Sequence, residues 1–167
     1  MAHPAQQAFC QSIRDANPER FANVSVLDVG SLDVNGNNRH LFDGGTYLGL
    51  DRVPGPNVDH VGDIMALAKT FDLVISTEAL EHDPHWRTTF VAMCIMAQKS
   101  LLVTCAGPGR PEHGTRRMPK ANMVCDQDYY RNIAPSELAD IARVHGFTTI
   151  DARFNPQACD TYLWATR

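Results

Sequence analysis

The chain has 167 residues, of which 44% are hydrophobic and 20% are charged, and its formal net charge is −4. This length is typical of one domain with one hydrophobic core, and the ordinary apolar content excludes a disordered chain. The sequence pI of about 5.9 disfavours nucleic acid as a partner, because phosphate binding relies on clustered Lys and Arg. We therefore expect a single globular domain over 1–167.

The cysteines and the N-terminus bear on the compartment. The chain starts without the basic and apolar segments of a signal peptide, and no apolar run reaches the roughly 20 residues needed to cross a bilayer. The number of cysteines is odd and no pair has the Cys-x-x-Cys spacing, so we expect reduced core thiols, no metal site, no membrane partner and a cytoplasmic location. The five are Cys10, Cys94, Cys105, Cys125 and Cys159.

The first half of the chain alternates between helical and strand patterns. A leading segment over 1–18 contains a helix over 4–16, which Asn17-Pro18 ends. Asp63 has the residue type and position of a helix N-cap. The further predicted elements are strands over 24–30, 46–51 and 58–61, short helices over 37–42 and 64–69, and a loop over 53–57.

The second half repeats this alternation around one long loop. Asp83-Pro84 predicts the start of a helix that runs to about Gln98. Residues 106–132 form an irregular segment longer than the roughly 12–15 residues typical of a plain connection. The further predicted elements are strands over 71–77 and 100–105, a helix over 134–145, and a closing hairpin of 147–153 with 161–166.

Strands that alternate with helices predict an α/β fold with a mostly parallel sheet covered on both faces. Ligands of such sheets bind outside the carboxyl ends of the strands, where the strand order reverses. Polar residues at the strand ends are therefore the candidate site residues.

Three strand ends carry suitable residues. Gly30 follows the first strand, where a glycine permits either close approach of a ligand or a plain tight turn. Asp51 closes the second strand, and a carboxylate there can accept two hydrogen bonds from a ribose diol. Asp63 follows the third strand and can accept from an exocyclic amine while also capping a helix. A Gly-x-Gly-x-x-Gly or Gly-Lys-Ser/Thr motif does not occur, so the sequence gives little support for a pyrophosphate site.

Four segments together resemble the class I S-adenosylmethionine-dependent methyltransferases, in particular the group called methyltransferase type 11. The resemblance implies a seven-stranded Rossmann-like sheet whose last strand is antiparallel, with S-adenosylmethionine as cofactor. The segments are Val26-Leu-Asp-Val-Gly-Ser31, Tyr47-Leu-Gly-Leu-Asp51, Gly62-Asp63 and Phe71-Asp-Leu-Val-Ile-Ser-Thr-Glu-Ala-Leu-Glu-His82.

The same resemblance assigns residues to parts of the cofactor. The end of the first strand is expected to contact the methionine part, and the end of the second strand the ribose. The end of the third strand is expected to contact the adenine, and the end of the fourth the sulfonium. In that order the residues are Asp28, Gly30 and Ser31; Asp51 and Arg52; Asp63 and Ile64; and Thr77 and Glu78.

The chain departs from the family pattern in two places. The family has further glycines two and four positions after the first, where this chain has Leu32 and Val34. The helix that normally follows the second strand is replaced by the loop over 53–57. Both departures predict a remodelled cofactor loop.

Methyl transfer is an in-line displacement, so positioning supplies most of the catalysis, and a base is needed only when the acceptor loses a proton. Glu78, Glu81 and His82 follow the fourth strand at the expected cofactor edge, and His113 lies in the long loop. His82 is the first candidate for a base. Capping and salt-bridging of the following helix explains the cluster equally well.

The segment over 106–132 is interpreted as an active-site loop, with a solvated surface loop as the alternative. Arg110, Glu112 and His113 are candidates for substrate contacts. Tyr129-Tyr130 is compatible with a lid that excludes water and equally with packing against the sheet. Arg116, Arg117 and Lys120 add positive charge that suits either an acidic substrate or a solvated face.

The motifs of enzymes that methylate DNA bases are absent from the sequence, which favours a small-molecule acceptor. We therefore expect an S-adenosylmethionine-dependent methyltransferase, with the long loop, the leading helix or the partner subunit of a homodimer completing the pocket. Two alternatives stay open at this point. One is a weakly active, cofactor-binding partner or regulatory subunit, and the other is an enzyme that cleaves S-adenosylmethionine.

Overall fold

A computed structural model describes residues 3–118 and 128–167. The described residues form three α-helices and one seven-stranded sheet. In chain order these are α1 (Pro4–Ala16), β1 (Ser25–Val29), β2 (Thr46–Asp51), β3 (His60–Val61), β4 (Phe71–Thr77), α2 (Trp86–Met96), β5 (Ala97–Ala106), α3 (Pro135–Val144), β6 (Thr149–Asn155) and β7 (Asp160–Thr166).

The sheet has the strand order β3-β2-β1-β4-β5-β7-β6. Strand β1 pairs in parallel with β2 on one side and with β4 on the other, and β4 pairs in parallel with β5. Strand β7 runs antiparallel to both β5 and β6. The predicted fold class, with an antiparallel last strand, is confirmed. The strand order reverses between β1 and β4, so the carboxyl ends of β1, β2 and β4 meet at one edge.

Helices cover both faces of the sheet because the central strands are apolar on both sides. Leu101 of β5 belongs to the core layer shared with α2 and α3, and the next residue, Leu102, belongs to the layer shared with α1. Both leucines are 0% exposed. Trp86, at the start of α2, is also buried.

Three predicted helices are shorter in the structure. The segments over 37–42 and 64–69 contain only the 3₁₀ turns Arg39–Leu41 and Ile64–Ala66. Helix α2 ends at Met96 because Ala97 already pairs with Phe71 of β4 and begins β5. The loop predicted over 53–57 is present, and no regular helix follows β2 before β3.

Three of the described cysteines, Cys10, Cys94 and Cys105, are buried free thiols, and Cys159 is partly exposed. Cys125 and Lys120, together with the rest of 119–127 in the predicted long loop, lie outside the described residues. None of the helices in the described ranges has the length and apolar character needed to cross a membrane.

Leu101→Ala tests the central position of β5 in the core. Removing a fully buried leucine leaves a cavity, so we expect unfolding free energy to fall by about 2–5 kcal/mol. Ile95→Ala is the matched control, because Ile95 of α2 is 62% exposed and its truncation should cost far less. Urea denaturation followed by circular dichroism measures both variants, and equal losses would contradict this core assignment.

Candidate active site

The end of β1 approaches the end of β4 very closely at Gly30. Gly30 has a φ of +77°, and a Cβ at this position would lie 2.3 Å from the Cβ of Ala79. The backbone amides of Gly30 and Ser31 both donate to the carbonyl oxygen of Leu50, at 2.9 and 3.1 Å. Glycine is therefore required here to bring three strand ends together.

Asp51 joins the end of β2 to the turn after β1. Its Oδ2 accepts from the backbone amide of Leu32 at 3.0 Å, and its Oδ1 accepts from the amide of Val53 at 3.1 Å. An ionised carboxylate offers about four lone-pair positions. With respect to residues 3–118 and 128–167, one position on each oxygen therefore remains for the two hydroxyls of a diol.

The departure from the glycine pattern has a local structural explanation. Leu32 packs against Gly55 of the loop after β2, where an added Cβ would lie 2.3 Å from Leu32 Cδ1. The amide of Asp33 donates to the carbonyl of Pro56 at 3.0 Å. The remodelled loop after β1 is thus held by the loop that replaces the missing helix.

Asp28 is buried and hydrogen-bonded within the protein. Its Oδ2 accepts from the hydroxyl of Tyr47 at 2.6 Å and from Nδ2 of Asn57 at 3.3 Å. Burial raises the pKa of Asp28 to about 6, although both donors oppose that rise. Asn57 also donates to the carbonyl of Ser31 at 2.9 Å, so this network fixes the turn that follows β1.

The residues assigned to the adenine form a separate group at the end of β3. Asp63 is exposed and accepts from the amide of Met65 at 2.9 Å, which confirms its capping role. Arg52 lies between two carboxylates, 3.5 Å from Asp63 Oδ2 and 3.4 Å from Asp83 Oδ1. Ile64, the next residue in the chain, is 4% exposed and belongs to the hydrophobic core.

Helix α1 covers the end of β4 through two side-chain amides. Thr77 Oγ1 accepts from Nδ2 of Asn38 at 3.1 Å, and Asn38 Oδ1 in turn accepts from Nε2 of Gln6 at 3.5 Å. Gln6 is fully buried. Sequence reasoning missed Gln6, because a glutamine in an amphipathic helix reads as surface.

Glu78 follows β4 in the left-handed region, with a φ of +54°. Its side chain is buried, with Oε2 lying 3.5 Å from Nη1 of Arg110 and 3.8 Å from Nε2 of His3. Burial, and next the charge of Glu81, raise the pKa of Glu78 to about 7. A non-glycine residue in this conformation, with a buried carboxyl, is typical of a functional position.

The four predicted catalytic residues lie at this same edge. Glu81 and His82 sit in the 3₁₀ turn Leu80–His82, and His113 reaches them from the loop after β5, with Nε2 lying 3.9 Å from Glu81 Oε1. Burial lowers the pKa of both histidines to about 4. Burial raises the pKa of Glu81. The backbone amides of Glu81 and Ala106 lower this pKa in part, although neither makes a hydrogen bond to the carboxylate.

Tyr130 closes this group on one side. Its ring centroid lies 5.5 Å from that of His82 and 5.0 Å from that of His113, and its hydroxyl donates to the carbonyl of Pro111 at 3.1 Å. The ring therefore packs over both imidazoles, as a lid residue would. Tyr129 packs instead against the core, which is one of the two alternatives predicted for this pair, and the lid role of Tyr130 stays a prediction.

His3 and Asp160 belong to the site but were missed from the sequence. His3 Nε2 lies 2.8 Å from Asp160 Oδ2, and Arg110 donates to the other Asp160 oxygen. The side chain of Asp160 is 0% exposed. No local pattern connects the residue before α1 with the first residue of β7, so only the folded sheet reveals this contact.

Solved structures share this architecture, whereas no protein-family model matches the chain and no curated protein matches it in sequence. The magnesium protoporphyrin IX methyltransferase from Synechocystis PCC 6803 with bound SAM superimposes with a TM-score of 0.63 at 17% identity, over 96% of this chain and 79% of that chain. The 1,6-didemethyltoxoflavin-N1-methyltransferase from Burkholderia thailandensis, with bound 1,6-didemethyltoxoflavin and S-adenosylhomocysteine, gives a TM-score of 0.66 at 20% identity, over 97% and 77%. The chain has the Rossmann-like methyltransferase fold.

A third structure extends this result. An O-methyltransferase family protein from Burkholderia thailandensis gives a TM-score of 0.59 at 14% identity, over 98% of this chain and 59% of that chain. In the shared methyltransferase fold, the edge that carries Gly30, Asp51 and Glu78 is the carboxyl edge of the parallel strands, where such sheets bind ligands.

Asp28→Asn tests the raised pKa of Asp28. The pKa of Asp28 is about 6 in the folded chain and about 3.9 in an unfolded chain, so the folded chain binds the proton more tightly. Protonation of Asp28 therefore stabilises the folded state as the pH falls. The unfolding free energy of the wild type, relative to the variant, should rise by about 2–3 kcal/mol between about pH 7.5 and about pH 4. Denaturant unfolding at each pH measures this difference.

Asp140→Asn is the control for that series, because the Asp140 side chain is 73% exposed and pairs only with the exposed Arg143 among the described residues. Its difference from the wild type should stay nearly constant across the same pH range. A flat profile for Asp28→Asn as well would contradict the raised pKa.

Proposed function

We propose that this chain is an S-adenosylmethionine-dependent methyltransferase that acts on a small-molecule acceptor. The observation that carries the proposal is the position of Asp51. Its carboxylate lies at the end of β2 and is hydrogen-bonded to the turn after β1. Among the residues that the structure describes, it keeps one free acceptor position on each oxygen. In a nucleoside-binding sheet this is the position of the residue that binds the ribose diol.

The residues at the β1 end fit the cofactor. Ser31 Oγ is buried and makes no hydrogen bond within the described residues, so it is available to a polar group of a ligand. Gly55 leaves space for the Leu32 side chain, so the loop after β1 can form without a glycine at position 32. Asp51 with Arg52 would bind the ribose side, and Asp63 with Ile64 would frame the adenine.

When bound, S-adenosylmethionine supplies an electrophilic methyl group. The residues at the end of β4 would orient it, since Thr77 ends β4 and Glu78 follows it, beside the end of β1. Helix α1 shields this point through Gln6 and Asn38. The chain's own contribution is thus binding, alignment and exclusion of water.

The acceptor side of the site lies between the turn after β4 and the loop after β5. The solved relatives in fold are named for magnesium protoporphyrin IX and for 1,6-didemethyltoxoflavin, which supports a small ring-containing acceptor here. An acceptor that loses a proton would do so beside Glu81, His82 and His113, with His82 as the first candidate for a base. Three buried free thiols, Cys10, Cys94 and Cys105, support a reducing, cytoplasmic location.

Calorimetric titration of the purified chain with S-adenosylmethionine, and separately with S-adenosylhomocysteine, tests the cofactor. Micromolar binding of both is the expected result, and binding of neither by the folded chain would overturn the proposal. Mass spectrometry of turnover products then identifies the reaction, because methyl transfer yields S-adenosylhomocysteine and cleavage of the cofactor does not.

Asp51→Ala tests the ribose contact directly. The substitution removes charge-assisted hydrogen bonds worth about 1.5–3 kcal/mol each, so we expect cofactor affinity to fall at least about tenfold while the fold persists. Asp43→Ala is the matched control, since the Asp43 side chain is 70% exposed and pairs with Arg14. Unchanged affinity for Asp51→Ala in calorimetry would remove Asp51 from the ribose site.

A further inference from the structure

Three side chains of residue types that bind metals meet beside the end of β4. Glu81 and His82 come from the turn after β4, and His113 comes from the loop after β5. One ligand atom from each residue lies within 4.8 Å of the ligand atoms of the other two. Two separate elements therefore bring a carboxylate and two imidazoles to one point.

The ligand atoms of this cluster are buried without partners. Five polar atoms make no hydrogen bond within the described part of the chain: both Glu81 carboxylate oxygens, both His82 ring nitrogens and His113 Nε2. Glu81 is 0% exposed. Buried polar atoms are almost always hydrogen-bonded, because an unpaired one loses its hydrogen bonds to water and gains nothing in return. One His82 nitrogen of a neutral ring carries a hydrogen, so four of these atoms are unpaired acceptors. Four unpaired acceptors at one point indicate a missing electrophilic partner.

The orientation of His113 fits such a partner. Its Nδ1 lies 3.1 Å from the carbonyl oxygen of Pro111. A carbonyl can only accept, so Nδ1 carries the hydrogen and Nε2 presents its lone pair toward Glu81. Metal-bound histidines are commonly held in this way, by a backbone carbonyl on the other ring nitrogen.

Contacts within the cluster do not satisfy these atoms. The distance of 3.9 Å between His113 Nε2 and Glu81 Oε1 exceeds hydrogen-bond range.

We propose that Glu81, His82 and His113 bind a divalent transition-metal ion of the Zn²⁺ type, with an open position for an oxygen of the methyl acceptor. Two histidines and one carboxylate form a donor set of catalytic zinc sites, which keep one position free. Mg²⁺ and Ca²⁺ prefer oxygen ligands and are disfavoured by the two imidazoles. Metal bonds of about 2.0–2.2 Å would draw the ligand atoms closer together than they are in the present structure.

The metal site restricts the chemical class of the methyl acceptor, an inference that rests on the proposed function. A hydroxyl oxygen on the open position would release its proton to water more readily, because the metal stabilises the resulting oxyanion. The oxyanion would stand at the end of β4, beside Glu78, where the methyl group is expected. The acceptor class is therefore a compound with an ionisable hydroxyl. With the metal bound, His82 would serve as a ligand, and water would take the proton that His82 takes as a base in a metal-free site.

Metal titration of the whole chain tests the site. Protein stripped with a chelator and freed of any affinity tag is titrated with Zn²⁺ by calorimetry and with Co²⁺ by visible absorbance. We expect one ion per chain, with affinity at least about tenfold weaker in His82→Ala, His113→Ala and Glu81→Gln. His85→Ala is the matched control, because His85 is exposed one turn away, and it should bind like the wild type. Absence of binding, or equal binding by all variants, would overturn the metal site.

Two further measurements keep the result interpretable. Zn²⁺ should raise the melting temperature of the wild type and of His85→Ala. The visible Co²⁺ spectrum of the wild type should show nitrogen and oxygen ligation. Neither measurement requires a ligand variant to fold. Titration of the metal-free wild type with S-adenosylmethionine tests the proposed function separately. Cofactor binding without metal binding would overturn the metal site alone, and the reverse would overturn the proposed function alone.

Acetohydroxamate, a chelator that binds through two oxygens, tests the acceptor class. It should bind the Zn²⁺-loaded chain at least about tenfold more tightly than the metal-free chain. Equal affinity for both forms would show that the metal offers no open position, and would overturn the assignment of an oxygen acceptor.

Discussion

The parallel pairing of β1 with β4 is the constraint on which the site depends. The chain leaves β1, forms β2 and β3 on one side, and returns to form β4 on the other side of β1. Because these strands run in one direction, Gly30, Asp51 and Glu78 are brought to one edge although they are far apart in sequence. The contact between Gly30 and Ala79 shows how closely the two central strand ends approach.

That convergence has an electrostatic cost, which the surrounding elements offset. The edge buries the side chains of Glu78, Glu81 and Asp160, each 0% exposed. Arg110 lies beside two of them and His3 beside the same two, which compensates for part of the lost hydration. The Glu81 carboxylate accepts no hydrogen bond in the described residues, and His113 Nε2 lies 3.9 Å from its Oε1. A buried carboxyl left outside the compensating network is weak as a stabilising device and is typical of a binding position.

Much of the sheet could be predicted from the sequence, because β2 and β4 are apolar runs that end in polar residues, and both have the predicted bounds. The end of α2 was wrong by two residues, since Ala97 suits a helix locally but gains a strand partner in Phe71. The candidate site, likewise, could be predicted where its residues are close in sequence and not where folding brings distant residues together. Glu81 and His82 are adjacent in a recognisable segment, whereas the contact of His3 with Asp160 is created only by the folded chain.

The two departures from the family pattern are best understood as one change. A leucine replaces a glycine at position 32, and a loop with Gly55 replaces the helix after β2; the leucine side chain occupies the space that Gly55 leaves open. The same loop supplies Asn57, whose side chain donates to the carbonyl of Ser31 and to Asp28. Each alteration alone would leave a clash or a cavity. Together they keep the turn after β1 in place and leave the Asp51 carboxylate with free acceptor positions, which is why a shortened fold of this kind is compatible with a functional cofactor site.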